Sequence, residues 1–195
     1  MEEQAEQDRS PVGQDRPGER VLILILIGLP GAGKTSVGEI LAAKLECSFF
    51  DSDRLIETKE KRTVSSIFKE DGEKRFREME TSLLDHFPKG SFVFSCGGGL
   101  PMTEGNMDKL LNLGQVIYLK TSIEELMSRL STAHDRPLLK SNPGESGAPD
   151  EHVLRNRLTA LESERCQVYE RAQLTVLTDG LTTDAVAQRI LHRVG

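Results

Sequence analysis

Gly28-Leu29-Pro30-Gly31-Ala32-Gly33-Lys34-Thr35-Ser36 is the stretch on which the fold of this 195-residue chain turns. It satisfies the spacing G-x-x-x-x-G-K-[ST] in full. Ahead of it runs Val21-Leu22-Ile23-Leu24-Ile25-Leu26-Ile27, too short to span a bilayer and suited to a strand covered on both faces. Behind it Val37, Ile40, Leu41 and Leu45 recur at helical spacing. A strand, a glycine turn and a helix are the parts a triphosphate site needs. Glycines let backbone N–H groups wrap a phosphate, and the helix N-terminus adds a favourable dipole. Lys34 can reach the β and γ phosphates, and the Thr35 hydroxyl can ligate Mg²⁺. A plain tight turn would account for the glycines, but it would leave a lysine at the positive end of a helix dipole without a reason.

Working outward, Ser48-Phe49-Phe50-Asp51-Ser52-Asp53 reads as a second strand with two carboxylates at its tip. Residues two apart on an extended segment face the same side. One acid could hold Mg²⁺ and the other accept a proton from an attacking hydroxyl, the alternative being an ordinary strand-end turn with solvated acids. From Leu55 to Phe87 the chain reads as mostly helical, the last helix starting near Asp71-Gly72 and carrying Phe76, Met79, Leu83 and Phe87. Arg77 and Glu80 lie three apart there and can pair, as a fork for a carboxylate or as a surface ion pair of little consequence. Ser91–Cys96 reads as a third strand ending in Gly97-Gly98-Gly99, where backbone could approach a ligand closely. Gln115–Lys120 and Leu174–Thr178 are the fourth and fifth strands. Helices are expected from about Glu104, over Ser122–Leu130, from Glu151 to Ala172, and over Thr183–Val194. Residues 131–150 are polar and Pro/Gly-rich apart from Arg136-Pro137-Leu138-Leu139, and read as a mobile lid. The alternation predicts an α/β fold: a five-stranded parallel sheet with helices on both faces, a helical substrate-binding insertion and a lid. Ligands should gather at the carboxyl ends of the strands.

The formal net charge of −6 argues against nucleic acid as a partner. Cys47, Cys96 and Cys166 show no metal-ligand spacing and read as free thiols of a reducing compartment. Residues 1–20, rich in Glu, Gln, Asp, Arg and Pro, read as a disordered tail, leaving 21–195 as one domain. The expectation is a cytoplasmic, monomeric protein with no membrane partner.

Taken in order, GLPGAGKTS, FFDSD, IFKEDGEKRFREME, the triple glycine, RPLL and ERCQVYERA resemble the shikimate kinase family from Val21 to Val194. The resemblance implies a P-loop kinase that moves the γ-phosphate of ATP to the 3-hydroxyl of shikimate. Gly31, Ala32, Gly33, Lys34, Thr35 and Ser36 would bind ATP, with Lys34 on the transferring phosphate. Thr35 and Asp51 would hold Mg²⁺, and Asp53 would contact the substrate hydroxyl as base. Arg77, Gly98, Gly99 and Arg165 would hold shikimate, the arginines on its carboxylate. Glu80 would orient Arg77, and Phe68 and Phe76 would wall the ring. Arg136, on the lid over about 131–150, would reach the phosphates, while about 53–87 would form the substrate-binding region. Three departures from the family stand out: Cys96 where threonine is frequent, a longer stretch between Arg136 and Arg165, and Asp179-Gly180-Leu181-Thr182, plain where the family often contacts adenine. Two rivals stay open: a gluconate-type kinase of the same fold, and a non-catalytic nucleotide-binding homologue that regulates a partner.

Overall fold

The computed structural model describes residues 21–131 and 151–195. The tail over 1–20 and nearly all of the expected lid, including Arg136, lie outside these residues.

Five strands form one parallel sheet: β1 (Ile23–Ile27), β2 (Ser48–Asp51), β3 (Phe92–Ser95), β4 (Gln115–Lys120) and β5 (Leu174–Leu177). Their order is β2-β3-β1-β4-β5. In register, Ile25 of β1 faces Phe94 of β3 and Val116 of β4. Central strands of a parallel sheet lose water from both faces, which is why β1 and β3 are runs of apolar residues rather than alternating ones. Leu24 through Ile27 and Phe92 through Phe94 are all buried. The helices are α1 (Lys34–Lys44), α2 (Ser52–Glu60), α3 (Val64–Glu70), α4 (Gly72–Leu83), α5 (Asn106–Leu113), α6 (Ile123–Ser131), α7 (Glu151–Tyr169) and α8 (Thr183–Val194), with a 3₁₀ turn at Leu100–Met102. The fold is the expected α/β one.

The connections matter for the site. From β1 the chain runs to β2 at one edge of the sheet, and from β4 it runs to β5 at the other. β1 and β4 are neighbours, so a crevice opens at their carboxyl ends, where the phosphate loop lies.

Two expectations need correction. The second strand stops at Asp51, and Ser52 already begins α2, so Asp53 lies in a helix and not on an extended segment. The cause is local: Asp51 Oδ1 accepts from the N–H groups of Asp53 (3.1 Å) and Arg54 (3.4 Å), which caps the helix. The long helical region is three helices, and α4 ends at Leu83, so Phe87 is not on it. Ile56, Ile67 and Phe76 of α2, α3 and α4 form a small core of their own, with Phe68, Met79 and Leu83 against it. Phe87 instead packs on the main core, its ring 4.7 Å from Phe94 and 5.0 Å from Phe92. The helical insertion is thus a separately packed platform beside the sheet's carboxyl edge.

Candidate active site

The phosphate loop follows β1 and ends in the first turn of α1. Gly33, at φ +90°, is the residue from which α1 starts, a backbone conformation that glycine alone adopts without strain. Among the described residues the N–H groups of Gly31, Gly33 and Thr35 have no hydrogen-bond partner. Ala32 N–H bonds to Leu29 O at 3.1 Å and shapes the turn. Lys34 Nζ donates to Gly28 O (2.9 Å) and Leu29 O (3.1 Å), so it is folded back over the loop. Open N–H groups with a lysine across them form an anion cradle.

The Thr35 hydroxyl donates to Asp51 Oδ2 at 2.9 Å, which joins α1 to the end of β2. One hydroxyl and one carboxylate suit Mg²⁺, which keeps several waters and completes its shell with phosphate oxygens. No group of three or more His, Cys, Asp or Glu among the described residues could cage a metal alone. The donor set therefore fits an ion that arrives with a nucleotide.

Across the crevice, the triple glycine leaves β3. Its glycines are needed for space. A Cβ on Gly97 would lie 2.7 Å from Glu80 Oε1 and 2.8 Å from Asp53 Oδ1, so both carboxylates press on this backbone. A Cβ on Gly98 would lie 2.9 Å from Arg165 Nη1, and one on Gly99 would collide with the Arg77 guanidinium. The turn thus sits beneath two arginines and two acids drawn from α2, α4 and α7. The N–H groups of Gly98 and Gly99 have no hydrogen-bond partner among the described residues. Arg165 Nε is buried and likewise without a hydrogen bond. Two guanidinium groups beside open N–H donors make a natural seat for a carboxylate.

The charges around this seat are interlocked. Arg77 bonds Glu80 at 2.6 Å and Glu73 at 2.8 Å, and its guanidinium lies 5.8 Å and 5.6 Å from the rings of Phe68 and Phe76. Glu80 is fully buried, and burial pushes its carboxyl up to about 7 against the pull of Arg77. Asp53 is raised too, first by burial and then by Asp51, with Lys34 opposing. A carboxyl raised toward the working pH is better matched to taking a proton. Phe76 is 3% exposed and belongs to the platform's core, so it offers little wall to a ligand; Phe68 keeps partial exposure.

The structure brings together Lys34, Thr35, Asp51, Asp53, Arg77, Gly98, Gly99 and Arg165 from the expected set. Four contributors were not foreseen. Ser52 is buried and its hydroxyl accepts from Gly97 N–H at 2.7 Å, tying α2 to the glycine turn. Tyr169 donates to Gly98 O. Arg129 of α6 bonds Glu125 (2.9 Å) and Thr178 O (3.0 Å) and reaches Ala32 O (3.5 Å), joining the residue after β5 to the phosphate loop. Asn106 Nδ2 links Thr81 to Leu100 O. Apart from Glu125, four residues before Arg129, and Leu100, six before Asn106, the partners lie far away along the chain, so the local sequence does not mark these contacts. In the segment after β5, Asp179 accepts from the N–H of Ser122 at 2.9 Å, the residue just ahead of α6.

A family model described as shikimate kinase matches residues 30–195. A shikimate kinase from Legionella pneumophila (strain Corby) is 37% identical over 174 residues, which is 88% of this chain and 94% of that protein. One from Persephonella marina is 34% identical over 172 residues, 88% of this chain and 98% of the other. Among solved structures, shikimate kinase from Acinetobacter baumannii in complex with shikimate superposes with a TM-score of 0.79 at 32% identity, over 89% of this chain and 93% of that one. Shikimate kinase from Bacteroides thetaiotaomicron gives the same TM-score at 28% identity, over 90% and 99%.

Proposed function

This chain belongs to the shikimate kinase family, and on that premise we propose that it transfers the γ-phosphate of ATP to the 3-hydroxyl of shikimate, giving shikimate 3-phosphate. The observation that carries the reading is the seat at Gly98-Gly99 under Arg77 and Arg165, with Asp53 beside it. A hydroxy acid held by its carboxylate there would present a hydroxyl toward Asp53 and the phosphate loop.

In this reading the N–H groups of the loop from Gly31 to Ser36 cradle the phosphates, and Lys34 turns from Gly28 O toward the transferring one. Phosphoryl transfer depends on alignment and on charge neutralisation more than on covalent help from the protein. Asp53 orients the acceptor hydroxyl and takes its proton. Thr35 and Asp51 would hold Mg²⁺, which when bound neutralises charge between the β and γ phosphates. Arg136 would add a further positive charge from the lid. Glu80 holds Arg77 in place. Residues 53–87 serve as the acceptor platform of one domain spanning 21–195. Unpaired Cys47, Cys96 and Cys166 suit a reducing cytoplasm, and we place the protein there as a monomer. No described helix is long and apolar enough to cross a membrane.

The test is coupled ADP release with full-length protein, ATP, Mg²⁺ and a panel of hydroxy acids including shikimate and gluconate. Shikimate should be the preferred acceptor; preference for gluconate or silence on the whole panel would reject the assignment. Lys34→Ala should keep its fold and lose at least ~100-fold in kcat, the scale of removing a preorganised charge. Near-normal turnover in that variant would move the phosphate site elsewhere.

A further inference from the structure

Tyr169 closes α7 one turn after Arg165 and is 1% exposed. Its ring packs on Tyr118 of β4, with 5.2 Å between centroids. Its hydroxyl donates to Gly98 O at 2.5 Å, and a second carbonyl, Gly28 O, stands 3.4 Å from the same oxygen. A phenol carries one proton, so it serves one carbonyl at a time. Burial pushes this phenol up to about 12, so it keeps that proton at neutral pH. Gly28 O is also the carbonyl on which Lys34 Nζ rests. The hydroxyl therefore stands where the phosphate loop and the glycine turn meet.

The Gly98–Gly99 peptide is trans, so its C=O and N–H point in opposite directions. Holding Gly98 O on Tyr169 therefore aims the Gly99 N–H away from that hydroxyl. That N–H is one of the open donors of the acceptor seat. We propose that Tyr169 is a positioning residue for the transfer: its hydroxyl sets the glycine turn that seats the acceptor against the loop that seats the donor. The inference rests on the function proposed above. It goes beyond it because that reading gives Tyr169 no role: its hydroxyl acts through Gly98 and the neighbouring Arg165 guanidinium, two parts of the acceptor seat. A transfer that needs in-line alignment loses rate when one seat drifts relative to the other.

Tyr169→Phe removes the hydroxyl and keeps the buried ring. Tyr118→Phe removes a hydroxyl from the neighbouring ring and is the control. Two measurements are made on the full chain. Steady-state kinetics with ATP and shikimate should show kcat about tenfold lower in Tyr169→Phe, shikimate KM raised about threefold or more, and ATP KM within about twofold of wild type. Amide hydrogen exchange should be faster at Leu100 and Met102, whose N–H groups close the turn on Gly97 O and Gly99 O, each at 3.0 Å. Tyr118→Phe should match wild type in both. Unchanged exchange in Tyr169→Phe overturns the proposal, and so do kinetic constants within about twofold of wild type. Equal losses in Tyr118→Phe overturn it as well, since packing of the rings and not the hydroxyl would then be responsible. If the wild-type protein is inert toward shikimate while exchange responds to Tyr169→Phe alone, the substrate assignment fails and the positioning of the turn is supported.

Discussion

Glu80 carries a carboxyl into a place where its side chain is 1% exposed, between Arg77 and the glycine turn. Burial raises it to about 7 from 4.5. Between those values the folded protein keeps a proton that the unfolded chain has released. The contribution of Glu80 to stability is then full below the lower value and is lost as pH rises through the upper one. Glutamine does not titrate. The melting temperature of wild type relative to Glu80→Gln should accordingly fall between about pH 5 and about pH 8; a gap that moves the other way would contradict the raised carboxyl. The two arginines beside Glu80 differ in what their removal leaves behind. Arg77→Ala strands a buried carboxyl whose Oε1 already lacks a hydrogen bond, so lost stability should accompany lost binding. Among the described residues the ion-pair partner of Arg165 is an exposed Glu164 at 4.0 Å, so Arg165→Ala is the cleaner probe. Each substitution should weaken shikimate by ~1.5–3 kcal/mol in calorimetric titration, the range for a charge-assisted contact, with ATP affinity nearly constant. Unaltered shikimate affinity in both would place the carboxylate seat elsewhere.

The start of α2 does two jobs with adjacent residues. Asp51 ends β2, caps α2 through Oδ1 and meets Thr35 through Oδ2. Asp53, one half-turn into the helix, faces the glycine turn. Asparagine caps a helix about as well as aspartate. Asp51→Asn should therefore keep α2 and lose mainly metal support, so raising Mg²⁺ should restore part of its activity. Asp53→Asn keeps the shape of the site and loses the proton acceptor, so kcat should fall about 100-fold whatever the metal concentration. ATP binding should survive in both. Measuring each across a Mg²⁺ series separates them, and rescue of Asp53→Asn alone would mean that the two roles are exchanged. The platform formed by α2, α3 and α4 keeps this helix start in place through its own small core and through Arg62, which bonds Asp71 at 2.6 Å and Glu70 at 3.0 Å.

Sheet and platform meet through the segment that Phe87 anchors. Its ring lies among Phe50, Phe92 and Phe94 and holds the chain returning from α4 to β3. The residue is half-buried, so Phe87→Ala should cost about 2–3 kcal/mol, somewhat below the range for a fully buried phenylalanine. A urea titration reads this as a lower midpoint, and an unchanged midpoint would mean that the ring contributes no core. Helical spacing alone had put Phe87 on α4. The sequence did hold the opposing signal, Pro88, which disfavours helix at the residue before it. Much else was legible from neighbours along the chain: the phosphate loop with its strand and helix, the limits of β4 and α8, and five strands alternating with helices. Glycine demands, apolar periods of two and 3.6, and the spacing of a loop motif are all properties of consecutive residues. Other features join residues far apart, and no local pattern encodes them. Ser52 meets Gly97 across 45 positions, Tyr169 meets Gly98 across 71, and Tyr169 approaches Gly28 across 141. The strand order β2-β3-β1-β4-β5 and the burial that raises Glu80 and Asp53 belong to the same class. They exist only once the sheet has closed, because its packing chooses which distant groups share a space from which water is excluded.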